Sequence, residues 1–199
     1  MKLTVENYTD QARRWPSEGE HILAQFDEAS VVVYQAYRPA IGNYAIEHGH
    51  FGGPDFSFER MSWIKPNFLW MMYRSGWGTK EGQEVILGLR LRRAFFDSLL
   101  RQAVASSFHP SVHSSREEWQ AAVQGSDVRL QWDPDHAPDG AKEARRAIQL
   151  GLRGDALKGM AGSELLEVMD LSAFVAEQRV HALSDWCKLR TPGEQVYPR

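Results

Sequence analysis

The chain's densest set of proton-moving groups lies in Gln131-Trp132-Asp133-Pro134-Asp135-His136. Two carboxylates and an imidazole at the end of an apolar run can bind a hard cation, exchange protons as acid and base, or hold a ribose hydroxyl. The same residues also suit a proline-bounded acidic turn whose Asp side chains accept from local backbone N–H groups. No metal-ligand spacing such as His-Glu-x-x-His accompanies them, so no metal is predicted. A second group occupies SWIKPNFLWMMYRSGW, from Ser62 to Trp77, which holds three of the seven tryptophans. Trp63, Trp70 and Trp77 are interleaved there with Lys65, Tyr73 and Arg74. Aromatic faces beside cations form a platform on which a base stacks while a phosphate finds a positive partner. Large aromatics fill cores equally well. A third group, YQAYRP, sets Tyr34, Gln35, Tyr37 and Arg38 at the end of an apolar run.

The elements that must position these groups can be read from periodicity. Residues 31–38, VVVYQAYR, are β-branched and aromatic and stop at Pro39, which predicts a strand. In AIGNYAIEHG, the stripe Ile41, Tyr44, Ala45, His48 predicts a short helix ended by Gly49. Arg60 to Ile64 reads as a second strand, and Pro66 as the start of a helix stopped by Gly76. Trp63 then precedes that helix and Trp77 follows it, so the sevenfold spacing is no coiled-coil seam. Within the helix, Trp70, Tyr73 and Arg74 share a face. EVILGLRLRRAF is the clearest strand, with Val85, Leu87, Leu89 and Leu91 on one face and Arg90 and Arg92 emerging on the other, towards an anion or solvent. FFDSLLRQAVASSF and REEWQAAVQ read as helices. In SDVRLQWDPDH, Val128, Leu130 and Trp132 share one strand face, Arg129, Gln131 and Asp133 the other, and Pro134 ends the strand. AKEARRAIQLGLRG reads as helix, and SELLEVMDLSAFVAEQRVHAL as a short strand leading into a helix. The sum is an α+β fold: one domain over residues 1–199, with a mixed or split, mainly antiparallel sheet flanked by helices. Residues 1–20 form an N-terminal extension and residues 141–199 a helix-rich C-terminal part.

Composition bounds the rest. At 199 residues, with 43% hydrophobic and 25% charged, the chain is long enough to bury a core and is not disordered. The absence of a long apolar run or secretory leader predicts no membrane partner and a cytoplasmic location. One cysteine, Cys187, excludes an internal disulfide and any multi-cysteine zinc site. Net charge is −3, yet residues 60–101 carry eight basic side chains against three acidic ones, a local +5 that leaves −8 elsewhere. Arginine dominates that run, and its planar guanidinium suits phosphate.

At VYQAYRPAI, MSWIKPNFLWMMYRSGWG and RLQWDPDH, with AIQLGLRG, the sequence resembles domain-of-unknown-function family 4291, a resemblance that spans most of the chain and implies no activity. The order of its motifs is also similar to the ADP-ribosyltransferase superfamily, whose split antiparallel sheet clamps NAD. That second resemblance implies a nucleotide-binding, NAD-using transferase. Tyr34, Gln35, Tyr37 and Arg38 would hold the nucleotide, Ser62 and Trp63 the nicotinamide side, and Gln131 and Asp133 would form the catalytic late-strand pair. Lys65, Trp70, Arg74, Arg90 and Arg92 supply stacking and phosphate-binding side chains of the required types. Asp133 is a methylene shorter than the superfamily's usual glutamate, and the first strand lacks its His-Gly pair. Two other classes compete. One is an RNA or single-stranded nucleic-acid binding module using the basic, tryptophan-rich segment, and the other a non-catalytic interaction domain.

Overall fold

A computed structural model describes residues 1–198. In chain order its elements are β1 (Val5–Asn7), α1 (Tyr8–Ala12), β2 (Gly19–Glu20), β3 (Leu23–Ala24), β4 (Ser30–Tyr37), α2 (Pro39–His48), β5 (Ser62–Ile64), α3 (Phe68–Ser75), β6 (Val85–Arg92) and α4 (Arg93–Gln102). There follow β7 (Val104–Ala105), α5 (Arg116–Gly125), β8 (Val128–His136), β9 (Lys142–Leu152), α6 (Gly154–Ala161), β10 (Leu165–Asp170), α7 (Ser172–Ala182), β11 (Arg190–Pro192) and β12 (Gln195–Val196). The fold is α+β.

Two main sheets organise it. One runs β10-β6-β4, antiparallel throughout. Strands β4 and β6 bury both faces along most of their length, which is why they read as continuous apolar runs. Val31, Val33, Leu87, Leu89 and Leu91 join one core cluster. Val32, Tyr34 and Ile86 join a second, with Phe68, Met72 and Val175. The other sheet runs β2-β9-β8-β7, with β5 paired to the far end of β9. The alternation expected of β8 holds: Leu130 and Trp132 turn to the first core with Ile148, Leu150 and Leu152, and Gln131 and Asp133 turn to the opposite face with Gln149.

The two sheets share the first core, and among the described residues one backbone bridge joins their strands. Tyr34 and Lys65 exchange both backbone hydrogen bonds, N to O at 2.7 and 3.2 Å. Beyond that bridge β4 and β5 part. The side chain of Gln35 fills the gap, donating to Trp63 O at 3.2 Å and to Ser62 Oγ at 2.8 Å. The sheet is therefore split, as the sequence led us to expect.

Three local readings change. AKEARRAIQLGLRG is not a helix: residues 142–152 form the longest strand, β9, which pairs with β8, β5 and β2. Pro134 does not end β8. It pairs with Arg146, the register shifts after it, and the strand continues to His136. Short β7 covers only Arg129 and Leu130, so the missing N–H of Pro134 falls on an uncovered edge where proline is tolerated. Helix α3 begins at Phe68 rather than Pro66, because Asn67 caps it by accepting from Trp70 N at 2.6 Å. Residues 1–20 pack into the body, with β1 paired to β11, β2 paired to β9, and Tyr8 and Trp15 buried.

Candidate functional site

A cleft of about 440 Å³ opens where β4 and β5 separate. Gln35, Ala36 and Tyr37 of β4 line one side, Met61, Ser62, Trp63 and Lys65 the floor, and Met71 and Arg74 of α3 the wall. Gln131 of β8 and Gln149 of β9 close the far side, and Gln83 stands at the rim. Helix α3 holds this place because it packs on β8 and β4 and is pinned at both ends. Gly76, at φ 58°, closes its C-terminus in the left-handed conformation that glycine adopts without steric cost. Glu194, buried near the end of the chain, accepts from Phe68 N at 2.7 Å and so satisfies a free donor of the first turn. Burial pushes the pKa of Glu194 well above the ordinary carboxylate value.

Three polar assemblies face one another across the cleft. Tyr37 Oη and Ser62 Oγ share a hydrogen bond of 2.5 Å, and Gln35 donates to the same hydroxyl. Burial drives the Tyr37 phenol up to about 12, against the opposing pull of its bonds to Ser62 and Gln35. Opposite, Asp133 accepts from Gln131 Nε2 at 2.8 Å and from Gln149 Nε2 at 2.7 Å, one amide to each carboxylate oxygen. The two glutamines form the surface here and Asp133 backs them, fixing both amide orientations.

The third assembly is cationic. Lys65 is 4% exposed, and its ammonium has no hydrogen bond or ion pair among the described residues. Its pKa is lowered to about 8, chiefly by burial and in smaller part by the neighbouring Arg74 guanidinium, against the opposing pull of Asp133. Arg74 is exposed and its guanidinium likewise has no partner among the described residues. The stem of Lys65 is buried while its ammonium reaches the open cleft, so that the cleft presents two unpaired cations side by side.

Of the residues singled out from sequence, the cleft gathers Gln35, Tyr37, Ser62, Trp63, Lys65, Arg74 and Gln131, with Asp133 directly behind. Arg38 lies in an adjoining groove that shares Tyr37 and Ser62, and its guanidinium pairs with Asp55 at 2.6 Å. Tyr34 points to the other face of β4, fully buried against Phe68. Trp70 stacks beneath His136 and Tyr73, away from the cleft. Arg90 and Arg92 sit on the three-stranded sheet, beside Glu167 of β10 and Glu164 just before it. Asp135 is buried in an ion pair with Arg145 at 2.6 Å, and Trp77 is buried with its indole N–H on Pro138 O at 3.0 Å.

Gln149 and Met61 were missed. The signal for Gln149 was present: Ile148, Leu150 and Leu152 alternate with Ala147, Gln149 and Gly151, the two-residue period of a strand. The helix-favouring Ala, Glu and Arg of residues 141–147 masked it.

The geometry defines a class: an α+β protein with a polar, cation-bearing cleft at the point where a sheet splits. A family described as Domain of unknown function (DUF4291) matches residues 21–197, and the chain belongs to that family. A comparison with curated proteins gave no match.

Proposed function

We propose that the cleft binds a nucleotide, with NAD as co-substrate, and that the protein is an ADP-ribosyltransferase-like enzyme. One observation carries this reading. Side chains of β4, β5 and β8, the strands whose motifs resemble those of the NAD-clamping superfamily, converge on a single cleft at the sheet split. The chemistry is coherent with it. Breaking the bond between nicotinamide and ribose develops positive charge on the ribose, which a fixed carboxylate stabilises. Asp133 is the carboxylate adjoining the site, and its two glutamine donors hold it without reorganisation. Arg74 offers an unpaired guanidinium for the pyrophosphate. Trp63, half-buried on the floor, offers a ring for stacking.

The test is thermal unfolding with NAD, ADP-ribose and AMP, followed by nicotinamide release. At a hundred times its dissociation constant a ligand adds about 2.7 kcal/mol. For a chain of this size that raises Tm by roughly 5–10 °C. Asp133→Asn is expected to keep the NAD-induced shift and lose nicotinamide release. A melt indifferent to all three nucleotides, or an Asp133→Asn variant with undiminished turnover, rejects the reading.

A further inference from the structure

We infer that Lys65 is a nucleophilic amine, placed to form an imine with an aldehyde-bearing sugar phosphate held in the cleft. The substrate class rests on the nucleotide reading above; the reactivity of the amine does not. Lys65 directly follows β5, and its backbone is locked by both hydrogen bonds to Tyr34, so its side chain enters the cleft from a fixed point. It is 96% buried (4% exposed), yet it lines an open cavity and has no acceptor within ion-pairing distance among the described residues. Its stem is held in the protein while the nitrogen alone opens onto the cleft. An amine on a buried stem, partly desolvated, unpaired and beside a second cation, is the arrangement that yields a neutral, attacking nitrogen. The other five lysines, Lys2, Lys80, Lys142, Lys158 and Lys188, are all exposed.

The charges facing Lys65 are few. Arg74 of α3 disfavours its protonation and Asp133 of β8 favours it. Tyr37 of β4, with its pKa at about 12, stays neutral below that pH. The remaining polar side chains of the cleft (Gln35, Ser62, Gln83, Gln131 and Gln149) carry no charge. With a pKa of about 8, about one Lys65 in ten is neutral at pH 7, against about one in 2,500 for an ordinary lysine.

The step balances without a further reactant. The Lys65 nitrogen attacks the aldehyde carbon, forming C–N as the carbonyl π bond opens onto oxygen. The carbinolamine then loses that oxygen as water, which carries away both amine hydrogens and leaves C=N. ADP-ribose is a suitable probe because its free ribose opens to an aldehyde, whereas both ribose anomeric carbons of NAD are blocked. Arg74 would meet the phosphates of either.

Two labelling reactions test this, each with cyanoborohydride to trap imines and peptide mass mapping to locate them. With formaldehyde at pH 7, Lys65 is expected to be modified at least tenfold faster than any exposed lysine, with a midpoint near pH 8. With ADP-ribose, the adduct is expected on Lys65, absent from incubations with AMP, whose anomeric carbon stays blocked, and lost in Lys65→Met and Lys65→Arg. If formaldehyde marks Lys65 no faster than the exposed five, the nucleophile is refuted whatever the nucleotide results. If Lys65 takes formaldehyde, and ADP-ribose raises Tm but leaves no adduct there, the substrate class is refuted while the nucleotide reading stands. If ADP-ribose neither binds nor labels while NAD raises Tm, the substrate class is refuted and the nucleotide reading stands; if none of NAD, ADP-ribose and AMP raises Tm, both fall.

Discussion

At the scale of the residue, the balance of charge around Lys65 makes two measurable claims. The first concerns stability. In the unfolded chain the amine keeps its proton up to about 10.5, and in the folded chain only up to about 8. Below pH 8 folding therefore carries the whole cost of burying the charge, and the cost fades as pH rises from 8 towards 10.5. The difference corresponds to up to about 3 kcal/mol. Lys65→Met, which keeps the length and removes the charge, should raise Tm at pH 7 by roughly 5–10 °C, with the gain disappearing near pH 10.5. A melting temperature that falls at pH 7 would mean the ammonium has a stabilising partner. The second claim concerns sign. Asp133 holds the Lys65 pKa up and Arg74 holds it down. Asp133→Asn should therefore move the midpoint of Lys65 labelling to lower pH, and Arg74→Ala to higher pH. Shifts in the same direction would show that the variants act through altered packing rather than charge.

At the scale of the element, the site depends on how closely β5 lies on β9. Gly151 pairs with Trp63, and a Cβ there would stand 2.6 Å from Met61 Sδ and 2.9 Å from the Trp63 ring. A glycine inside a strand often marks such an approach. Gly151→Ala should push Met61 and Trp63 into the cleft they line, so that nucleotide affinity falls at least tenfold while the helical and strand content of the circular dichroism spectrum is kept. Unchanged affinity would separate the ligand from the floor of the cleft. This glycine lies in AIQLGLRG, where reading the sequence succeeded and failed at once. The segment carried the family resemblance, yet its secondary structure was assigned to helix, because the preceding Lys142, Glu143, Ala144 and Arg145 favour helix and are exposed or ion-paired rather than patterned. Where apolar periodicity was strong, in β4, β6, β8 and α2, the elements were legible. The cleft was legible in its parts, since Gln35, Ser62, Trp63, Lys65, Arg74 and Gln131 all stood out by type. Their convergence was not, because it depends on one backbone bridge between Tyr34 and Lys65 that no local pattern encodes.

At the scale of the whole molecule, the question is what the basic run from Arg60 to Arg101 becomes once folded. It does not form one face. Arg90 and Arg92 meet Glu167 and Glu164, and Arg93 donates to Tyr197 Oη and to Asp27 O while lying over the Phe26 and Tyr197 rings. Lys80 reaches back to the carbonyl of Arg74 at 2.7 Å. Of the eight basic residues, Lys65 and Arg74 line the cleft. No helix among the described residues is long and apolar enough to cross a membrane. The two cations of the cleft suit the phosphates of one nucleotide better than the backbone of a polymer, and salt dependence distinguishes these cases. Each phosphate neutralised on a single strand contributes about 0.7 to the slope of log affinity against log salt. Two cations therefore predict a slope no steeper than about −1.4 for a short single-stranded RNA, and little gain in affinity as the strand lengthens beyond the cleft. A steeper slope that grows with RNA length would require cations outside the cleft, and would favour a nucleic-acid binding module over a nucleotide enzyme.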